Sequence, residues 1–420
     1  MSATADEIAS GSATEETGLR MYLKVVRTDG MPAWTWAVVC QRLPIAMSPL
    51  ALVYLGKAAA SSYAVGALLA GAFAFAEAVA AGTMGRRFDR NSPRSELRLV
   101  LGVQALVLAA LALPALVSPG WMPIWVMLVL AAAAGGIASG AHGGLRALLV
   151  RTVAPTAHHA ALSLESTLTT LLWAIGPALV GLVVLLSGEV WPVLLIAAIA
   201  GAGVFTAGAL RAPGPAETGE PTEHAVRVWR LSWPALLQEG AVLMCVGAAY
   251  TGLPALLEHV GTDAGVAGPV LAVFAAAGLV GGLCYGSRKW PGAYRTQSMV
   301  LSLTVAVVVG IAVVMPTALI VIALMVVSGL AGTPALTARA AGLQELLPER
   351  VWATGFSGLY AAGGVGFGVA SIVVATLLEP VGIRTALLVC AALAALAAAV
   401  GGVAESRMAS TASGGNTAGR

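Results

Sequence analysis

Charged side chains are scarce in this sequence. Aspartate, glutamate, lysine and arginine make up 10% of its 420 residues, whereas apolar residues make up 58%. A soluble domain carries about a quarter charged residues, because water must solvate its surface. The composition therefore excludes a water-soluble protein and indicates an integral membrane protein. The net charge of +3 says little about partners.

Cysteine is also rare, and the short motifs of common enzyme and metal sites are absent from the sequence. The four cysteines lie in apolar runs, without the close spacing of a disulfide framework or a zinc site. GxxxxGK[ST], HExxH and GxSxG do not occur, so no ATP-driven pump, zinc protease or serine hydrolase is indicated. We expect no enzymatic activity, cofactor, metal or nucleic-acid partner.

Long apolar runs fill most of the chain instead. A bilayer core takes about 20 helical residues, and windows of that length give twelve candidate spans. They cover residues 33–56, 61–84, 99–118, 122–145, 161–187, 191–210, 231–256, 266–286, 298–315, 317–338, 354–378 and 382–403. We therefore predict an all-α membrane protein with twelve transmembrane helices in two pseudo-symmetric six-helix bundles.

A segment rich in proline, glycine and glutamate divides the spans six and six. The predicted organisation is a disordered cytoplasmic tail at 1–30, bundles at 31–210 and 231–404, a cytoplasmic linker at 211–230 and a second disordered tail at 405–420. Lysine and arginine concentrate in alternate connections, and the others hold only Lys57 and Arg384. By the positive-inside rule, this asymmetry predicts both termini in the cytoplasm. The abundance of alanine, glycine and arginine fits a GC-rich bacterial genome, so we expect a bacterial inner membrane.

Two short patterns recur in the two halves of the chain. The first span contains "WAVVCQR" and the seventh contains "WPALLQE". In both, four residues separate a tryptophan from a glutamine, and a charged residue follows the glutamine. Arg146 precedes a proline by nine residues at the end of the fourth span, and Arg339 does so at the end of the tenth. These matches favour an internal duplication, which is a known transporter architecture.

The connection after the second span, "GRRFDRNSPR" (residues 85–94), resembles the loop signature of the major facilitator superfamily. Gly85, Asp89, Arg90 and Arg94 match it, whereas Ser92 stands at its second glycine. The resemblance implies that these residues form a cytoplasmic gate. We expect Arg146 and Glu165, at the inner ends of spans four and five, to pair in the same gate; a plain surface pair is the alternative.

The fifth span contains "LWAIGPALVG", which resembles the Gly-Pro signature of the proton-antiporter branch of that superfamily. Gly176, Pro177 and Gly181 match it. Pro177 removes one backbone donor and bends the helix, while the glycines let a neighbour approach closely. The resemblance implies proton-coupled efflux of a drug or metabolite, of an actinobacterial type; a helix-packing kink without a coupling role is the alternative.

Three ionisable side chains are expected at one depth in the membrane. Arg42, Glu77 and Glu239 each lie about 12–13 Å from the inner end of their span at 1.5 Å per residue. A charge at the bilayer centre costs roughly 2.5–3.5 kcal/mol or more, so the default interpretation is functional. We predict that they couple transport to protons, with Glu239 as the first proton site; a permanent structural Arg42–Glu77 pair is the alternative.

We predict a substrate cavity at the midplane, between the two bundles, lined by Gln41, Arg42, Gln238, Glu239 and Trp173. The expected function is a secondary active transporter that exports a small organic compound in exchange for protons, as a monomer in the lipid bilayer. Proton-coupled uptake stays open, as do a membrane sensor and a lipid scramblase. A sensor is expected to carry an added soluble domain, for which the terminal segments are short.

Overall fold

The computed structural model describes residues 23–154, 157–210, 225–287, 290–347 and 352–414. Most of the predicted linker and most of the first tail therefore lie outside the described residues. The α-helices that form the spans are α1 (Met31–Ala60), α2 (Tyr63–Arg90), α3 (Pro93–Val117), α4 (Ile124–Ala138), α5 (Ala141–Thr152), α6 (His158–Ser187), α7 (Trp191–Ala207), α8 (Ala225–His259), α9 (Ala267–Gly286), α10 (Tyr294–Val314), α11 (Ala318–Leu346), α12 (Trp352–Val381) and α13 (Ile383–Gly414).

The predicted all-α fold is confirmed, with helices at all twelve predicted spans. Eleven spans are long and apolar enough to cross a membrane, and α4 and α5 together form one of them, interrupted at Ser139 and Gly140. The remaining span is α7, which has 17 residues. No strand occurs among the described residues.

Several helices extend beyond their predicted ends, α11 and α13 by the most. Helix α11 continues to Leu346, and α13 continues to Gly414, well into the segment predicted as a tail. The hydropathy of both runs falls before the helix ends, because polar and charged residues enter the last turns. At the start of these extensions, Arg339 on α11 forms an ion pair with Glu405 on α13 at 2.9 Å.

The first helix of each half is its most deeply buried element. Almost every side chain of α1 from Ala37 to Gly56 is buried, and most of α8 is buried as well. The peripheral helices instead expose apolar side chains such as Leu106, Leu186 and Phe205 on their outer surfaces. That pattern is expected where lipid, which is as apolar as leucine, replaces water around the protein.

A close helix contact is repeated in the two halves. A Cβ atom at Gly135 of α4 would lie 2.1 Å from the carbonyl oxygen of Phe73 in α2. In the second half, a Cβ atom at Gly329 of α11 would lie 2.3 Å from the carbonyl oxygen of Phe274 in α9. Only glycine permits this approach of two backbones. The same contact between corresponding spans agrees with an internal duplication.

The halves meet mainly along two helix pairs, α2 with α12 and α6 with α9. Because the spans alternate in direction, α1 begins and α13 ends at the same end of the bundle, which we call the terminal face. The opposite end, which carries the connection between α1 and α2, is called the distal face. The candidate site lies between the halves, and α2, α6 and α12 of these pairs contribute residues to it.

Candidate functional site

A cavity of about 220 Å³ lies between the two halves. Residues from both halves line it: Ile45, Pro49, Ala74, Glu77, Ala78 and Trp173 from the first, and Glu239, Leu243, Leu336, Leu359, Tyr360, Gly363, Gly364 and Phe367 from the second. Ligand sites in membrane bundles form at such interfaces between repeats. The structure thus places Glu77, Glu239 and Trp173 together, as the sequence predicts.

The two carboxyl groups of the cavity have different surroundings. Glu77 accepts a hydrogen bond of 2.7 Å from the hydroxyl group of Tyr360, which reaches across from the other half. The Oε2 atom of Glu239 is buried and has no hydrogen-bond partner among the described residues. An unpaired carboxylate in an apolar site is costly, whereas the neutral acid costs far less. Glu239 is therefore the carboxyl group most in need of a proton or another ligand.

Aromatic side chains form one wall of the cavity. Trp173 packs edge-on against Tyr250 with ring centroids 6.3 Å apart, and Tyr250 in turn packs on Phe367 at 6.0 Å. The ring centroids of Tyr360 and His142 are 5.9 Å apart. The wall therefore joins α6 of the first half to α8 and α12 of the second. Trp173 thus lines the cavity and at the same time packs against the second half.

Arg42 does not line the cavity in this structure. It is 3% exposed and forms a buried ion pair with Glu165 of α6. The alternative in which Arg42 pairs with Glu77 is wrong, since Glu77 bonds Tyr360 instead. Glu165 also contacts Arg146 at 3.6 Å, so the expected Arg146–Glu165 pair is present, with Arg42 as a third member.

The two glutamines also lie outside the cavity lining. Gln41 is fully buried, and its Nε2 atom lies 3.4 Å from the carbonyl oxygen of Ala138 within the first half. Gln238 accepts from Arg339 at 2.8 Å and donates to Glu405 at 3.2 Å. Each glutamine points into its own half, where Gln238 is held by Arg339 and Glu405 and the Oε1 atom of Gln41 has no hydrogen-bond partner among the described residues, which corrects the predicted place of both in the cavity.

A buried polar cluster in the second half accounts for the position of Gln238. Arg339 is 1% exposed and bonds Glu405, Gln238 and the hydroxyl group of Ser298. Ser298 also donates to Gln238 at 3.1 Å. All three partners come from different helices, so the guanidinium group ties α8, α10 and α13 to α11. Arg42 and Arg339 are the buried arginines of the described chain, and each is paired within its own half.

The loop signature lies at the terminal face, and the side chain of Asp89 lies outside the described residues. Arg90 and Arg94 are exposed, and a Cβ atom at Gly85 would meet nothing within 4 Å. Arg87, which is not among the predicted gate residues, forms an ion pair among the described residues of this region. It donates to Glu96 of α3 through Nε at 2.7 Å and through a second nitrogen at 3.3 Å.

The Gly-Pro element packs α6 against a helix of each half. A Cβ atom at Gly176 would lie 3.0 Å from the Cβ of Ala46 in α1. A Cβ atom at Gly268 of α9 would lie 2.6 Å from the Cα of Gly181 and 2.3 Å from the carbonyl oxygen of Pro177. The element therefore forms the closest approach of α6 to the other half.

Replacing Gly268 with valine is expected to separate α6 from α9 and open the distal face. Ordinary contact begins near 3.4 Å, so the helices must move apart by about 1 Å to admit the new side chain. The buried Ala264, next to this contact, should then become accessible. The reporter is Ala264→Cys in a background in which the exposed Cys284 is replaced by serine. Its reaction with a membrane-impermeant maleimide should be several times faster with Gly268→Val than without it.

The matched control for this change is Gly286→Val at the end of the same helix, where a Cβ atom would meet nothing within 4 Å. It should leave the labelling rate of the reporter unchanged. An equal rate in the Gly268→Val and Gly286→Val variants would contradict the closing role of the α6–α9 contact.

Polar contacts also join the halves at the distal face. Glu258 at the end of α8 accepts from the hydroxyl group of Tyr63 at 2.7 Å and lies 3.5 Å from the amino group of Lys57. Partial burial raises the pKa of Glu189 in the neighbouring connection above its ordinary value; Lys57 opposes this shift and Glu258 adds to it. The cluster of Lys57, Tyr63 and Glu258 is called the distal latch.

Two further hydrogen bonds cross between the halves beside the distal latch. Ser62 donates to Glu379 of α12 at 2.8 Å. Tyr54 donates to the carbonyl oxygen of Ala264 at 2.5 Å. Together with the α6–α9 contact, these bonds hold the halves together on the distal side of the cavity.

Sequence reasoning missed Tyr360 and Phe367 in the cavity and Glu405 in the second half. The two aromatic residues lie in an apolar run that looks like any lipid-facing segment. Glu405 could have been predicted, because a buried arginine in span ten requires a carboxylate nearby. Its position past the predicted end of span twelve hid it.

The sequence matches the model of the Major Facilitator Superfamily over residues 35–321. No curated protein matches it. Among solved structures, the nucleoside transporter NupG is similar with a TM-score of 0.70 and 12% identity, over 88% of this chain and 97% of that one. At this identity the likeness shows the fold alone.

Two further transporter structures are similar. A bacterial homolog of the human lysosomal transporter Spinster, in an inward-facing and occupied conformation, gives a TM-score of 0.70 at 15% identity, over 90% of this chain and 96% of that one. A POT family transporter in complex with a thioalcohol-conjugated peptide gives a TM-score of 0.68 at 10% identity, over 88% of this chain and 95% of that one. Since the family match spans more than half of the sequence, this chain belongs to the major facilitator superfamily and is a multi-pass membrane transporter.

Proposed function

We propose that the protein is a proton-coupled antiporter that exports a small organic compound from a bacterial cell by alternating access. The observation that carries the proposal is the presence of Glu77 and Glu239 in one cavity between the halves. Carboxyl groups inside a membrane mark proton and substrate pathways in transporters. The buried arginines do not neutralise them, because Arg42 pairs with Glu165 and Arg339 with Glu405.

Proton exchange requires a carboxyl group whose charge is not already compensated. Glu239 meets this condition, since its buried Oε2 atom has no partner among the described residues. Glu77 has a neutral partner in Tyr360, which leaves its charge in place. In an apolar cavity, binding of either a proton or a substrate removes the cost of the charge. Competition between the two for one carboxyl group gives obligatory exchange.

Alternating access requires contacts that hold the cavity closed on one side. The distal latch and the α6–α9 glycine contact supply such contacts on the distal side of Glu77 and Glu239. With the terminal face in the cytoplasm, as the distribution of arginine predicts, we interpret this arrangement as an inward-facing state. Export then requires these contacts to break and the halves to close at the terminal face.

Removing the charge of the distal latch is expected to shift this equilibrium modestly. An exposed ion pair contributes about 0.2–1 kcal/mol, so Glu258→Gln should favour opening of the distal face by up to about five-fold. The labelling rate of the Ala264→Cys reporter should rise accordingly, and less so in high salt. Glu345→Gln, an exposed change near the terminal end of α11, serves as the control. A rate unaffected by Glu258→Gln would remove the latch from the gating equilibrium.

The direction of transport is supported by the Gly-Pro element of α6. Its resemblance to the antiporter signature favours export, and its packing against α9 places it where the halves must separate. Uptake in symport with protons is the second candidate, because the same carboxyl groups could serve it.

The accumulation of a compound panel in an efflux-deficient bacterial host tests the proposal. Cells that express the protein should accumulate less of at least one compound, and an uncoupler should abolish the difference. Higher accumulation would establish uptake instead. A difference that persists with the uncoupler, or no difference for any compound, would refute proton-coupled export.

A further inference from the structure

The charge of the cavity lining is negative. Among the described residues that line it, Glu77 and Glu239 are the charged side chains, and lysine, arginine and histidine do not occur. The other lining residues are aliphatic, aromatic or glycine. A negatively charged ligand would have to approach two carboxyl groups in a medium where charges are poorly screened. The lining therefore disfavours anions.

The nearby cations are already engaged and cannot reverse this charge. Arg42 is committed to Glu165 within the first half, and Arg339 to Glu405 within the second. Arg146 adds a contact to Glu165 at 3.6 Å. Both buried arginines are therefore paired with a carboxylate inside their own half, and neither lies among the side chains that line the cavity.

The aromatic wall complements this charge. Trp173, Tyr360 and Phe367 line the cavity with the carboxyl groups, and Tyr250 fixes Trp173 and Phe367 from behind. The face of an aromatic ring attracts a cation, and the attraction is stronger where the site is desolvated. Carboxyl groups and ring faces in one small space are the chemistry that recognises ammonium groups.

The size of the cavity limits the ligand further. Its 220 Å³ is below the roughly 300–1,000 Å³ of pockets for drug-sized ligands. A compound with one ring and one charged group fits this space better than a large amphiphile.

We propose that the substrates are small organic cations, amines or quaternary ammonium compounds with a compact apolar body, whose charge binds between Glu77 and Glu239 against the aromatic wall. The inference rests on the proposed antiporter function and adds the substrate class to it. The bound cation takes the place of the proton at the same carboxyl groups, which provides the exchange that antiport requires.

Calorimetric titration of the full-length protein in nanodiscs, at one mildly alkaline pH, tests the inference. The probes are benzyltrimethylammonium, benzyl alcohol and phenylacetate, which share a benzyl group and differ in charge. We expect the cation to bind at least about ten-fold more tightly than the alcohol, and phenylacetate most weakly. Equal binding of cation and alcohol, or tighter binding of phenylacetate, would overturn the inference.

Variants locate the binding. Glu239→Gln and Glu77→Gln should each remove most of the preference for the cation and leave the affinity for benzyl alcohol unchanged. Glu345→Gln, which makes the same chemical change on an exposed surface, should keep the full preference. A preference that persists in both cavity variants would place the cation site elsewhere and overturn the inference.

Carbodiimide labelling of the wild-type protein avoids dependence on variants that fail to fold. Benzyltrimethylammonium should protect Glu77 and Glu239 from dicyclohexylcarbodiimide, and benzyl alcohol should not. Labelling at both positions that is insensitive to the cation would contradict the inference.

The outcomes separate this inference from the proposed function. Uncoupler-sensitive export of a neutral compound, without cation binding, would refute the substrate class and leave antiport standing. If cations bind in a way that depends on Glu77 and Glu239 but no compound is exported in an uncoupler-sensitive way, the proposed substrate class stands and the proposed antiport is refuted.

Discussion

Proton-driven transport by the Glu239→Gln variant is expected to fall to the background of protein-free liposomes. Glutamine keeps the shape of the side chain and its polarity but cannot exchange a proton. Since the Oε2 atom of Glu239 has no partner among the described residues, the substitution breaks no bond that the structure shows. The variant should therefore fold, and the loss should be specific to coupling.

The measurement uses proteoliposomes and a compound identified in the export panel. An imposed pH gradient should drive uptake of the compound into liposomes that contain the wild-type protein. In liposomes that contain the Glu239→Gln variant, uptake should not exceed the background. Exchange of labelled for unlabelled compound at saturating concentration should continue, because the loaded carrier reorients without the proton. Glu345→Gln should behave as wild type. Unchanged pH-driven transport by Glu239→Gln would move the proton site to Glu77, and the same result with Glu77→Gln would end the coupling scheme.

The sequence predicts the number of spans and the cavity carboxyl groups for one physical reason. Hydropathy reports directly on the cost of placing a group in lipid, so an isolated Glu77 or Glu239 in an apolar run stands out. Such residues must face the inside of the protein and not the lipid. Because Glu77 and Glu239 belong to different halves, the inner space that both can reach is the one between the halves. Trp173 shares this space with them.

The partner of Arg42 could not be predicted in the same way. The rise of a helix gives the depth of a residue, but not the direction in which its side chain points relative to other helices. Depth alone favoured Glu77 and placed Glu165 nearer the inner end of its span, whereas the packing of α6 against α1 brings Glu165 to Arg42. Helix ends were a second source of error, since Glu405 lies beyond the apolar run and yet within α13.

Replacing Arg339 with methionine is expected to destabilise the second half by about 3–5 kcal/mol, the cost of breaking a buried ion pair by removing one partner. The loss leaves Glu405 without its cation and removes the bonds that Arg339 donates to Gln238 and Ser298. A charge left alone in a bundle interior is worse than no charge at all. Thermal unfolding of the purified protein should show a melting temperature several degrees lower, whereas Arg98→Met, on an exposed face of α3, should have little effect.

The double variant Arg339→Met with Glu405→Leu separates the ion pair from mere packing. It removes both charges and keeps the hydrogen bond of 3.1 Å between Ser298 and Gln238. Because an apolar replacement of a whole buried pair is often neutral or stabilising, the double variant should melt well above Arg339→Met alone. If the two losses instead add, the contribution of Arg339 lies in its shape and not in its charge. If recovery occurs, the second half holds Arg339 as a compensated pair with Glu405, and this arginine is not available to neutralise the carboxyl groups of the cavity.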